Sequence, residues 1–203
     1  MINFITLCDY LGTFAFAISG IRLASAKQFD WFGAYVVGVV TAVGGGTIRD
    51  LLLDATPFWM VQHSYLTISG LALLFVILFQ KTTVTLNNTF FIFDTIGLGL
   101  FTVVGVEKAL HNDYPHWVAI IMGVITGSFG GMIRDILINE VPLIFRKDIY
   151  SLACVVGGVV YILCMPLPIP SFVLGSVAAV SVFITRLLAV KYHISVPVFK
   201  TNE

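Results

Sequence analysis

Gly-Gly-Gly-Thr-Ile-Arg-Asp (Gly44–Asp50) and Gly-Gly-Met-Ile-Arg-Asp (Gly130–Asp135) each lie inside a long apolar run of this chain. Sliding the sequence by 85 residues lays Asp9–Pro57 on Asp94–Pro142 without a gap. Identities in that register include Asp9/Asp94, Gly12/Gly97, Phe16/Phe101, Gly20/Gly105, Ala24/Ala109, Thr41/Thr126, Gly45/Gly130, Gly46/Gly131, Arg49/Arg134, Asp50/Asp135 and Pro57/Pro142. Shared hydrophobicity matches Val with Ile. It does not match a charged pair, two glycines and a proline in fixed register. The chain therefore consists of two like halves, with helix-weakening glycines and ionisable groups at equivalent points of each. In a membrane protein that arrangement points to a transport site.

Composition supplies the membrane. The chain is 58% apolar and 11% charged, with a mean hydropathy of +0.98. A soluble domain carries about a quarter charged residues, so the chain reads as an integral membrane protein. Zero net charge argues against a nucleic-acid partner. Cys8, Cys154 and Cys164 have no metal-ligand spacing and read as small packing residues. His63, His111, His116 and His193 fall at segment ends with no i,i+4 pair, so no metal site is expected. No nucleophile–base constellation is present, and Gly44–Asp50 lacks the lysine of a phosphate-binding loop. Neither an enzyme nor a resident cofactor is expected. The N-terminus has no basic leader pattern and reads as a retained span.

Seven apolar segments stand out, at 2–21, 31–56, 64–80, 90–107, 116–139, 149–165 and 170–189. The expected fold is all-α with seven transmembrane helices. Residues 1–88 form a first three-helix repeat, 89–166 a second, and 167–203 a seventh helix with its tail. Three is odd, so the second unit enters from the opposite side and the repeat is inverted. Arg22, Lys27, Lys81, Arg146, Lys147, Arg186, Lys191 and Lys200 gather on one side and only Lys108 on the other. That bias places the C-terminus in the cytoplasm and the N-terminus outside. A bacterial inner membrane is the expected location.

Segments two and five are the longest. A helix from Trp31 to Pro57 would run ~40 Å, against a hydrocarbon core of ~30 Å. It is expected to tilt, bend or break, with Gly44, Gly45 and Gly46 as the weak point and Gly130 and Gly131 as their mates. A bend frees carbonyls that must face protein or a wet cavity. Close helix packing is the other use of such glycines. Gly12, Phe16, Gly20 and Ala24, with their four mates, form a second, structural stripe on segments one and four.

Arg49-Asp50 and Arg134-Asp135 follow the glycines directly. Adjacent helical residues point ~100° apart and make poor partners. Each arginine is therefore expected to find another acid, Asp9 for Arg49 and Asp94 for Arg134, one cluster at each end of the protein. Four acids against two arginines leave a negative balance that favours cations. Thr41, Thr126 and Ser128 beside the bends offer oxygen ligands, although such hydroxyls usually bond their own i−4 carbonyl. Phe129 replaces Gly44 in the second half and is placed to narrow one end.

On these residues the chain resembles a prokaryotic member of the trimeric intracellular cation channel family. The same tandem domain also carries a glycine-transporter label. The resemblance implies a homotrimer in membrane lipid, with a hydrophilic pore for K⁺ and Na⁺ inside each subunit, lined by kinked helices two and five. The alternative is a secondary transporter of a small zwitterion such as glycine.

Overall fold

The computed structural model describes residues 4–79 and 89–197. Its elements are α1 (Phe4–Ala26), α2 (Trp31–Leu52), a single turn α3 (Phe58–Val61), α4 (Ser64–Leu78), α5 (Thr89–His111), α6 (His116–Leu137), a 3-10 turn (Leu143–Phe145), α7 (Ser151–Cys164) and α8 (Ser171–Lys191). Apart from one isolated bridge between Asp148 and Ser195, no β pairing occurs among the described residues. Helices α1, α2, α5, α6 and α8 are long and apolar enough to cross a membrane. Helices α4 and α7 have 15 and 14 residues. That is about 22 Å of helix, less than a full perpendicular span. Segment three was expected to reach residue 80; α4 ends at Leu78, and residue 80, Lys81 and Lys200 lie outside the described residues.

Four helices form a closed ring in the order α1, α2, α6, α5, each packed on the next. Helix α4 lies outside this ring on α1 and α2; α7 packs on α6, α5 and α8, and α8 also covers α5. The repeat is visible in the contacts. Phe101 fills the space where Gly12 lacks a side chain, and Phe16 fills the matching space at Gly97. The two rings meet edge-on, with centroids 5.2 Å apart.

The helix ends correct the expected lengths. Helix α2 stops at Leu52 and α6 at Leu137, 22 residues each, or about 33 Å. Asp54 and Asn139 then take left-handed backbone, with φ of 55° and 57°. The Ala55 and Glu140 N–H groups donate back to the Asp50 and Asp135 carbonyls, at 2.8 Å in each case. These turns, 85 residues apart, close both helices before Pro57 and Pro142. The excess length that demanded a break is therefore absent. Both helices run unbroken through Gly44–Gly46 and Gly130–Gly131, and no described glycine has positive φ.

The glycines instead allow α2 and α6 to touch. A β-carbon on Gly45 would overlap the Thr126 carbonyl, and one on Gly130 would overlap the Thr41 carbonyl. The contact pairs each half with the other in the same way, as a small-residue crossing does in membrane helices.

Candidate functional site

Both Arg-Asp motifs sit in the last turn of their helices, just before the left-handed residue. The Arg49 Nε donates to Asp50 Oδ1 at 2.8 Å, and the Arg134 Nε donates to Asp135 Oδ1 at 2.9 Å. The expectation that neighbours make poor partners is overturned at both. Each carboxylate is turned past the helix end, where its second oxygen accepts a backbone N–H eight residues on. Phe58 donates to Asp50 Oδ2 and Leu143 to Asp135 Oδ2, both at 2.9 Å. An aspartate held beyond the last turn is within reach of a long arginine that curls over that turn.

The two halves differ in the second acid. Arg134 Nη1 forms a short ion pair with Asp94 Oδ1, as expected, and donates to Ser19 Oγ at 2.8 Å. Arg49 makes no ion pair or hydrogen bond with Asp9. Asp9 Oδ2 accepts from the Tyr65 hydroxyl at 3.4 Å, and its Oδ1 has no hydrogen-bond partner. Arg49, Arg134 and Asp94 are fully buried, and Asp9, Asp50 and Asp135 nearly so. A fully enclosed arginine is tolerable only with such partners.

Each motif faces a cavity. The first, about 570 Å³, is lined by Asp9, Asp50, Tyr65, Glu107, Lys108 and His111 among others. The second, about 310 Å³, is lined by Leu23, Ala26, Lys27, Phe90, Asp135, Ile138, Glu140, Leu143 and Arg146. The register of 85 maps these in turn onto Lys108, His111, Asn112, Ile5, Asp50, Leu53, Ala55, Phe58 and Val61, all of which line the first cavity. The cavities are repeat mates built from different chemistry. In the first, Lys108 Nζ stands 3.7 Å from Asp50 Oδ1. In the second, Glu140 binds Lys27 at 2.6 Å and Arg146 at 3.3 Å. The Lys27 ammonium, by hydrogen bond and charge, holds the exposed Glu140 carboxyl below its ordinary value.

Of the expected site residues, Asp9 and Asp50 line the first cavity and Asp135 the second. Thr41, Thr126 and Ser128 are buried and donate to the carbonyls of Val37, Met122 and Val124, at 2.6, 2.6 and 2.7 Å. They and the half-buried Phe129 line neither cavity. Sequence reasoning missed Tyr65 and Tyr150, although they too stand 85 apart. It also missed Glu107 and Glu140, and it used Lys27, Lys108 and Arg146 only as charges that set orientation. No group of His, Cys, Asp or Glu among the described residues is placed to hold a metal.

A family model described as glycine transporter matches the chain twice, over residues 6–81 and 91–166. The chain is 40% identical over 202 residues to the inner membrane protein YadS of Escherichia coli, covering 96% of each. It is 39% identical over 199 residues to a membrane protein of Vibrio cholerae, covering 97% of this chain and 83% of that one. Its fold matches the TRIC trimeric intracellular cation channel orthologue of Rhodobacter sphaeroides with a TM-score of 0.87 and 33% identity, over 93% of this chain and 98% of that one. The chain belongs to the TRIC family. A TRIC channel of C. elegans, 14% identical with a TM-score of 0.64, shares the fold. TRIC proteins are membrane channels rather than enzymes, and the two matched stretches of this one coincide with its sequence repeat.

Proposed function

We propose that this protein is a channel for hydrated monovalent cations, K⁺ and Na⁺, with one pathway inside each protomer of a homotrimer. The observation that carries the reading is the pair of repeat-related cavities, each ending on an Arg-Asp motif, on either side of the α2–α6 glycine crossing. Asp9, Asp50 and Asp135 face water in this reading, with Arg49, Arg134 and Asp94 behind them setting the field. Conduction requires α2 and α6 to part at Gly44–Gly46 and Gly130–Gly131. Parting bends these helices and brings Thr41, Thr126, Ser128 and Phe129 to the path. The two halves are inverted three-helix repeats, with α4 and α7 as their third helices and α8 as the seventh. The N-terminus is outside and the C-terminus cytoplasmic in a bacterial inner membrane, with lipid against the outer apolar faces. No cofactor is required.

Planar bilayers holding the purified protein test this. Unitary currents that scale with salt, that reverse at the K⁺ equilibrium potential in a gradient of KCl alone and that NaCl also supports, are the expected result. The second reading, transport of a small zwitterion such as glycine, draws on one observation: the two cavities share no lining residue, so a barrier stands between them, as in a transporter closed between its two openings. Saturable, competable glycine uptake into liposomes, with no unitary events, would decide for it.

A further inference from the structure

Helix α5 places two ionisable residues in the wall of the first cavity that no repeat mate reproduces. Glu107 and Lys108 correspond to Arg22 and Leu23 in the first half. Lys108 Nζ is 3.7 Å from Asp50 Oδ1 and 5.2 Å from the centre of the Phe58 ring. Its side chain is 30% exposed and lines the cavity. Three carboxylates share that wall. Asp50 is tied to Arg49, and one Glu107 oxygen accepts from the Tyr161 hydroxyl at 2.8 Å. Asp9, 4% exposed, lines the cavity and its buried Oδ1 has no hydrogen-bond partner, so this carboxylate is left with an unfilled acceptor. The second cavity offers nothing similar, because Asp94 is sealed against Arg134 and does not line it.

We infer that Lys108 is a valence filter: its fixed ammonium leaves the first cavity attractive to monovalent cations and unfavourable to divalent ones. The inference rests on the cation-permeation reading above. Without Lys108, three carboxylates would line this cavity with only the enclosed Arg49, already paired with Asp50, to offset them, and oxygen ligands of that kind suit hard divalent ions. A unit positive charge a few ångströms from the ion repels a divalent cation twice as strongly as a monovalent one. At the effective dielectric of a wet cavity the difference is on the order of tenfold in relative occupancy. The carboxylates are not gathered for direct chelation, so a divalent ion admitted here is held through its water shell.

The test compares the full-length protein with K108Q, with K108L (which copies Leu23) and with K108R. One arm measures K⁺ efflux from liposomes with increasing Ca²⁺ or Mg²⁺. The other measures Mn²⁺ binding to the detergent-purified protein, independently of flux. The wild type is expected to conduct K⁺ unchanged in millimolar Ca²⁺. K108Q and K108L should show at least about tenfold greater sensitivity to Ca²⁺ and correspondingly tighter Mn²⁺ binding, reversed by adding D9N. K108R should behave as the wild type. Wild-type flux blocked by submillimolar Ca²⁺ overturns the inference without any variant. So does K108Q with unchanged melting temperature, divalent sensitivity and Mn²⁺ binding, or K108R behaving like K108Q. A wild type without K⁺ flux defeats the permeation reading alone if Mn²⁺ still separates K108Q from K108R.

Discussion

At the scale of single residues, the protein places two guanidinium groups in fully enclosed positions and satisfies them differently. Arg134 holds two carboxylates and a serine hydroxyl, whereas Arg49 holds Asp50 and leaves Nη1 without a partner. Removing one member of a buried ion pair strands the other charge, at a cost of about 3–5 kcal/mol, while removing both costs less. Arg134→Leu should therefore be strongly destabilising, and R134L/D94N should recover part of the loss. The same cycle on Arg49 and Asp9 should show weaker coupling, because no direct contact joins them. Chemical unfolding in detergent of both sets of variants checks this; equal coupling energies in the two cycles would contradict it. The repeat register was enough to bring Asp94 to Arg134. It failed for Asp9 because the surroundings differ: Ser19 bridges one pair, and its repeat mate is the apolar Val104.

At the scale of helices, hydropathy located the apolar segments but not their ends. The apolar run continues past Leu52 through Leu53, Ala55 and Pro57, so composition gives no stop there. The stop is a backbone event, a left-handed Asp54 that lets the Ala55 N–H cap the helix, and Asn139 repeats it. Polar residues in that conformation are a turn signal that hydropathy does not register. With the helices shorter, the glycines are required for contact rather than for interruption. Gly45→Ala and Gly130→Ala each drive a methyl group into a facing carbonyl that belongs to helical backbone. Each should cost about 1–3 kcal/mol through overpacking. Gly44→Ala meets the tip of the Ile133 side chain at 3.1 Å and the Gly130 Cα at an ordinary contact distance of 3.6 Å. It should be neutral or gain up to about 1 kcal/mol of helix propensity. Melting temperatures of the three variants order the sites. A Gly44→Ala loss as large as that of Gly45→Ala would mean that the crossing is not where the helices press together.

At the scale of the molecule, the conserved register between the halves made the Arg-Asp clusters legible, while everything that distinguishes the two cavities was not. Lys108, Lys27, Glu140 and Arg146 face Leu23, Asn112, Ala55 and Val61 across the repeat, so self-comparison passes over them. One of these differences joins the halves directly: Lys27, after α1, binds Glu140, after α6, at 2.6 Å. Glu140 titrates below its ordinary value because of that ammonium. A carboxyl depressed in the folded state adds stability above the unfolded pKa, about 4.3 for Glu, and loses it as pH falls through the folded value. Lys27→Met should therefore lower the melting temperature between pH 5 and 8. The gap to wild type should begin to narrow near the unfolded value and close only once pH has fallen through the lowered folded value, where Glu140 is protonated in both. Both side chains are about two-fifths exposed, so ~1 M salt should also narrow the gap at neutral pH. Melting curves of the two proteins across pH 3–8, at low and high salt, measure it. A gap that persists at pH 3 and in high salt would show that Lys27 acts through packing of its stem, not through the ion pair that links the two halves.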